Sequence, residues 1–134
     1  MKKAVPLPWA DLYRWRMVPG WHYEVSDTGI VRNKRTGLII RGKVDHKGYL
    51  TVGLRRTGEP QRTAMIHRLV LMAFVGMCPE GYQANHLDGD KGNNRVENLE
   101  WVTPSENMRH SYAIGIRKAM RGALNGMHAS RRKL

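Results

Sequence analysis

The fold is decided by Ala84-Asn85-His86-Leu87-Asp88-Gly89-Asp90-Lys91-Gly92-Asn93-Asn94-Arg95-Val96-Glu97-Asn98-Leu99-Glu100-Trp101-Val102-Thr103-Pro104-Ser105-Glu106-Asn107. Two short apolar pieces, Tyr82 to Leu87 and Leu99 to Val102, flank a polar loop rich in Gly and Asn, which predicts two strands with a long connection. Thr103-Pro104-Ser105-Glu106 then sets Thr at an N-cap, Pro at the first helical position and Glu three residues after the cap, a capping box that starts a helix. That helix is expected to run to about Gly115, with Asn107, His110, Ser111 and Ile114 on one face. The predicted order is strand, loop, strand, helix, with polar groups at each joint. Such an order can bring an imidazole and amide oxygens to one point, where a hard cation takes oxygen ligands and phosphate completes the shell.

Upstream, His67 to Val75 is almost unbroken in apolar residues and ends at Gly76 and Cys78-Pro79, which predicts a mostly buried helix. Before it, His22–Val25, Ile30–Asn33, Leu38–Ile40, Tyr49–Arg55 and Gln61–Ile66 alternate or run apolar between turn residues such as Asp27-Thr28-Gly29 and Thr57-Gly58-Glu59-Pro60. These are strands of a small antiparallel sheet. Residues 1–20, with Pro6, Pro8, Trp9 and Trp15, read as a partly ordered arm whose aromatics dock on that sheet. Residues 116–134 carry Arg117, Lys118, Arg121, Arg131, Arg132 and Lys133 with little apolar periodicity, and read as a flexible basic tail. The expectation is α+β: arm 1–20, β-rich module 21–66, core 67–115, tail 116–134.

In 134 residues, 23 Lys and Arg stand against 11 Asp and Glu, a formal charge of +12, which points to a polyanion partner. Charge alone leaves DNA and RNA open. With 41% hydrophobic and 25% charged residues the composition is that of a folded domain. Cys78 is the only cysteine, which excludes an intramolecular disulfide framework and a cysteine-based zinc ribbon, so a metal would use N and O ligands; a reducing, cytoplasmic setting is expected. The longest apolar run, Leu69 to Met77, is far short of the roughly 20 residues of a membrane span, so no membrane role is expected. Trp9, Trp15, Trp21 and Trp101 are scattered among apolar neighbours and read as core or docking residues rather than base-stacking platforms.

The ordered set Ile66-His67-Arg68-Leu69-Val70, Ala84 to Lys91, Asn93-Asn94, Glu97 to Thr103 and Glu106-Asn107 resembles the HNH endonuclease family, in particular its phage and intron branch. Pro19 to Val31 is similar to the small module often found ahead of such nucleases. The resemblance implies a ββα-metal nuclease core that hydrolyses phosphodiesters of double-stranded DNA with one divalent ion, Mg²⁺ or Mn²⁺. It implies His86 as general base, a role suited to an imidazole of ordinary pKa about 6.5. It implies Asn85 and Asn107 as metal ligands, with His110 one turn on as a further ligand or phosphate contact, and Asn98 as the residue that fastens the loop. His67 is a further candidate for the site.

Many relatives carry Asp or His before the general base; Asn85 is a neutral and weaker ligand, so metal affinity is expected to be low without DNA. Arg95, Arg109 and the basic residues of the tail are the expected DNA contacts, giving phosphate binding with a few base contacts, as in a nicking or homing enzyme of phage origin. The alternatives are a weakly active or inactive DNA-binding or packaging-associated protein on the same fold, and an RNA-directed one.

Overall fold

The computed structural model describes residues 13–115; the arm residues up to 12, the tail from 116, and with them Trp9, Arg117, Lys118, Arg121, Arg131, Arg132 and Lys133, lie outside the described residues. The chain runs β1 (Trp15–Met17), β2 (Tyr23–Ser26), β3 (Val31–Asn33), β4 (Ile39–Ile40), β5 (Lys43–Val44), β6 (Leu50–Leu54), β7 (Arg62–Met65), α1 (Ile66–Phe74), β8 (Gln83–His86), a 3-10 turn Val96–Asn98 and β9 (Leu99–Val102). A second helix, α2, occupies 104–115. The α+β class holds. The N-terminal strands divide over two antiparallel sheets rather than one, β1-β2-β3-β4 and β5-β6-β7, and β8-β9 form a third. The division falls where Arg41 and Gly42 separate β4 from β5, and the Tyr23 hydroxyl bridges the two sheets by accepting the Arg55 N–H at 3.0 Å.

Two short strands differ from expectation. Part of the supposed arm, Trp15–Met17, is an edge strand paired with Glu24–Ser26, and Lys43–Val44 pairs with Leu50–Thr51. Stretches of two or three residues are too short to display a period of two, and only their pairing partner makes them strands.

The turns are built locally. Buried Ser26 turns its Oγ back to accept the Thr28 and Ile30 N–H groups at 3.2 and 3.0 Å, closing the β2–β3 turn. Gly29 there adopts φ +93°, and a Cβ on it would meet the Asn94 Cβ at 2.9 Å, so both the conformation and the close approach require glycine. In the β5–β6 turn Asp45 Oδ1 accepts the Lys47 and Tyr49 N–H groups at 2.8 and 2.9 Å, an Asx turn that presents Tyr49.

α1 begins one residue earlier than expected, at Ile66, without a side-chain cap. Its stability comes from burial of Ile66, His67, Leu69, Val70 and Leu71. It packs on β1, β2, β6 and β7 on one side and on β8 and β9 on the other. One core therefore runs through Val18, Val25, Val31, Val52, Leu54, Val70, Leu71 and Leu99. Trp101 donates its indole N–H to the Gly76 carbonyl at 2.9 Å, tying β9 to the end of α1. No helix among the described residues is long and apolar enough to cross a membrane.

Candidate active site

β8 and β9 pair with His86 opposite Leu99 and Asn85 opposite Glu100. His86 and Asn85 close the strand, 6% and 7% exposed, and the loop that follows is knotted by Asn98. Asn98 Oδ1 accepts the Asp88 N–H, and its Nδ2 donates to Asp88 Oδ1 and to the Asn93 carbonyl, at 3.1, 2.9 and 2.9 Å. The Leu87 N–H reaches the Asn98 carbonyl at 2.7 Å. Asn98 sits in the 3-10 turn ahead of β9 rather than starting the strand.

Asp88 spends both oxygens on the loop, the second on Asn93 Nδ2 at 2.8 Å, and these bonds from Asn93, the Asp90 N–H and Asn98 hold its carboxyl below the usual carboxylate range. Asp90 accepts the Gly92 N–H at 2.9 Å. Neither lines the pocket described next.

α2 starts with the expected reciprocal cap: the Thr103 N–H donates to Glu106 Oε1 at 2.8 Å and the Glu106 N–H to Thr103 Oγ1 at 3.2 Å. The helix so anchored carries Asn107, His110, Ser111 and Ile114 along one wall of a pocket of about 260 Å³. Asn85, His86, Gly89 and Lys91 belong to the opposite side, and Tyr49 comes from the β5–β6 turn. Four of the expected site residues, Asn85, His86, Asn107 and His110, thus share one cavity. His110 Nε2 donates to the Leu87 carbonyl at 2.7 Å, which leaves Nδ1 as its free ring nitrogen.

His86 brings an imidazole to the pocket. Its Nε2 lies 2.8 Å from Oδ1 of Asn94, a side chain only 4% exposed. An amide oxygen can only accept, so Nε2 carries the proton and Nδ1 of the neutral ring keeps its lone pair. Asn94 was not singled out from the sequence, although it belongs to the Asn93-Asn94 pair; a partner eight residues away across a loop has no periodicity to betray it.

His67 lies against the back of this group: its ring centroid is 4.8 Å from that of His86, and Tyr49 stacks on His67 at 5.1 Å and on His86 at 6.1 Å. His67 Nδ1 is buried without a hydrogen-bond partner among the described residues. Burial first, then repulsion from His86 and Arg68, pull the His67 pKa down to about 4, against a smaller opposing pull from Asp45, so the ring is neutral at neutral pH. Lys91 extends over the Tyr49 ring at 4.7 Å and donates to the Lys47 carbonyl at 2.7 Å.

The donor set fits a hard divalent cation. Asn85 donates Nδ2–H to Glu100 at 3.3 Å and Asn107 donates Nδ2–H to Gln83 at 2.8 Å, so each amide has its oxygen available for a cation. No group of three His, Cys, Asp or Glu that could hold a metal occurs among the described residues.

Of the expected DNA contacts, Arg109 is exposed, and Arg95, also exposed, sits 4.0 Å from Glu97. Trp15, Trp21 and Trp101 each lie under a guanidinium, of Arg32, Arg56 and Arg68 at 3.8, 3.7 and 5.2 Å.

Known proteins similar to this chain point to one family. The HNH endonuclease family matches residues 64–109, and the NUMOD4 motif matches residues 14–55. DNA endonuclease I-HmuI of Bacillus phage SP01 is 35% identical over 103 residues, 75% of this chain and 59% of that protein. YosQ, an SPbeta prophage-derived protein of Bacillus subtilis strain 168 named for an HNH homing endonuclease, is 34% identical over 109 residues, 81% of this chain and 61% of its own length. The chain therefore spans about three fifths of the length of these relatives. The solved structure titled "DNA binding and cleavage by the HNH homing endonuclease I-HmuI" superposes with a TM-score of 0.70 at 34% identity, covering 82% of this chain and 66% of that one. The chain thus carries an HNH endonuclease domain at 64–109 with a NUMOD4 motif ahead of it.

Proposed function

We propose that the protein is a metal-dependent DNA endonuclease in which His86 is the general base. The observation that carries this reading is the 2.8 Å bond from His86 Nε2 to buried Asn94, in a pocket shared with Asn85 and Asn107. With its proton fixed on Nε2, His86 uses Nδ1 to take a proton from a water attacking the scissile phosphorus, and the bond to Asn94 steadies the imidazolium that results. Asn85 and Asn107 would hold one divalent ion, Mg²⁺ or Mn²⁺, which when bound would stabilise charge on the phosphate and on the departing 3′ oxygen. The products carry 5′-phosphate and 3′-hydroxyl ends. With its Nε2–H spent on the Leu87 carbonyl, His110 would offer the Nδ1 lone pair to the ion.

Double-stranded DNA is the proposed substrate, supported by the +12 charge and by the DNA binding and cleavage named for the structural neighbour. Arg95, Arg109, Arg117, Lys118, Arg121, Arg131, Arg132 and Lys133 are the proposed backbone contacts.

One observation favours a second reading, a DNA-binding protein with little activity: both proposed metal ligands are neutral amides. Plasmid nicking with Mg²⁺, Mn²⁺ or EDTA separates the two. Metal-dependent nicking lost in His86→Ala and Asn107→Ala while DNA binding persists supports the nuclease; tight binding without nicking in any metal supports the second reading.

A further inference from the structure

The upstream motif touches the nuclease loop at two turns. At the β2–β3 turn the Asp27 carbonyl accepts the Val96 N–H at 2.9 Å, and Gly29 packs directly on Asn94, the partner of His86. At the β5–β6 turn the Lys47 carbonyl accepts Lys91 Nζ, and Tyr49 puts its ring against both His67 and His86. Tyr49 is the one residue from the 14–55 motif that lines the pocket.

His86 is thus fixed along two directions. Asn94 fixes the ring edge through Nε2. On one side the ring is packed by His67 and Tyr49, which meet each other as well as His86. A single hydrogen bond leaves a ring free to swing about the donor–acceptor line; packing against two further rings removes that freedom. Neutral His67 can fill this place without setting a second positive charge beside the imidazolium that forms during the reaction.

We propose that Tyr49 is a positioning residue for His86, so that the upstream motif completes the active site of the nuclease domain. This rests on the reading of His86 as general base. Tyr49 acts through its ring: it holds the His86 Nδ1 lone pair on the line to the attacking water. A misplacement of about 1 Å can lower a rate by ~100-fold.

The test uses the full chain in single-turnover plasmid nicking at saturating DNA with Mg²⁺, with duplex affinity and the nitrogen-15 spectrum of the histidine rings measured on the same proteins. Tyr49→Leu, which keeps apolar bulk but no ring, is expected to lower the rate by about 10- to 100-fold with affinity within about twofold, and to shift His86 from a single Nε2–H tautomer towards a mixture. Tyr49→Phe is expected to recover most of the rate and the single tautomer. A wild-type rate and tautomer in Tyr49→Leu, a loss that merely tracks DNA affinity, or a Tyr49→Phe no better than Tyr49→Leu overturns the proposal. His86→Ala run alongside keeps the two readings apart: if it is inactive while Tyr49→Leu behaves as wild type, only this inference fails, and if it nicks as wild type, His86 is not the base and this inference falls with it.

Discussion

His67 shows what burial does to an imidazole. It is 4% exposed, and its pKa falls from 6.5 to about 4, so the folded state resists a proton that the unfolded chain accepts. The unfolded state therefore binds more protons between those two values, and the contribution is fully present above pH 6.5 and lost as pH falls towards 4. Stability is expected to drop by roughly 2 kcal/mol between pH 7 and 5 on this account. Urea unfolding at the two pH values checks it, and the drop should shrink in His67→Phe.

A second prediction concerns Asn85. Replacing its neutral amide by a carboxylate, Asn85→Asp, should lower the Mg²⁺ concentration for half-maximal nicking by about tenfold, because a hard cation prefers charged oxygen; a metal titration at fixed DNA reads it. Asn85, His86 and Asn107 were legible as candidates because the motif keeps them in a fixed order. Asn94 and Tyr49 were not, since each reaches His86 only through loop closure and sheet packing, which leave no local pattern.

The helices and hairpins owe their stability to different devices. α2 depends on its cap: Thr103 and Glu106 exchange two hydrogen bonds there, and Glu106 is held below the usual carboxylate range by its bonds to Thr103. Thr103→Ala should cost about 1 kcal/mol and loosen the wall that carries Asn107 and His110. Faster amide exchange in residues 104–110 with slower nicking is the expected pair of results. α1 has no such cap and relies on burial; Leu71 is fully buried, and Leu71→Ala should cost about 2–5 kcal/mol by thermal unfolding.

Some elements declare themselves in the sequence. The capping box has a spelling, α1 is almost continuously apolar, and the longer strands alternate. β1 and β5 do not, since their identity resides in the strand beside them, and the split into two N-terminal sheets is equally silent because nothing in a strand's own pattern names its neighbour.

At the scale of the molecule, +12 of charge belongs to 134 residues, so DNA affinity should fall steeply with salt, by about a thousandfold between roughly 50 and 200 mM if six or more phosphates are neutralised. A log–log plot of affinity against salt gives the number of contacts, and single-stranded RNA as competitor tests the preference for duplex DNA. The single core, with α1 packed on all three sheets, also bears on heredity. A seam lies between residues 55 and 64, where the two motif matches end and begin and where recombination could cut. The contacts of Gly29 with Asn94 and of Lys47 with Lys91 cross that seam. A hybrid gene that trades the front segment for a foreign one inherits a misfitting neighbour for the loop of residues 87–98, so exchange between lineages should succeed only when both turns travel with a loop already matched to them.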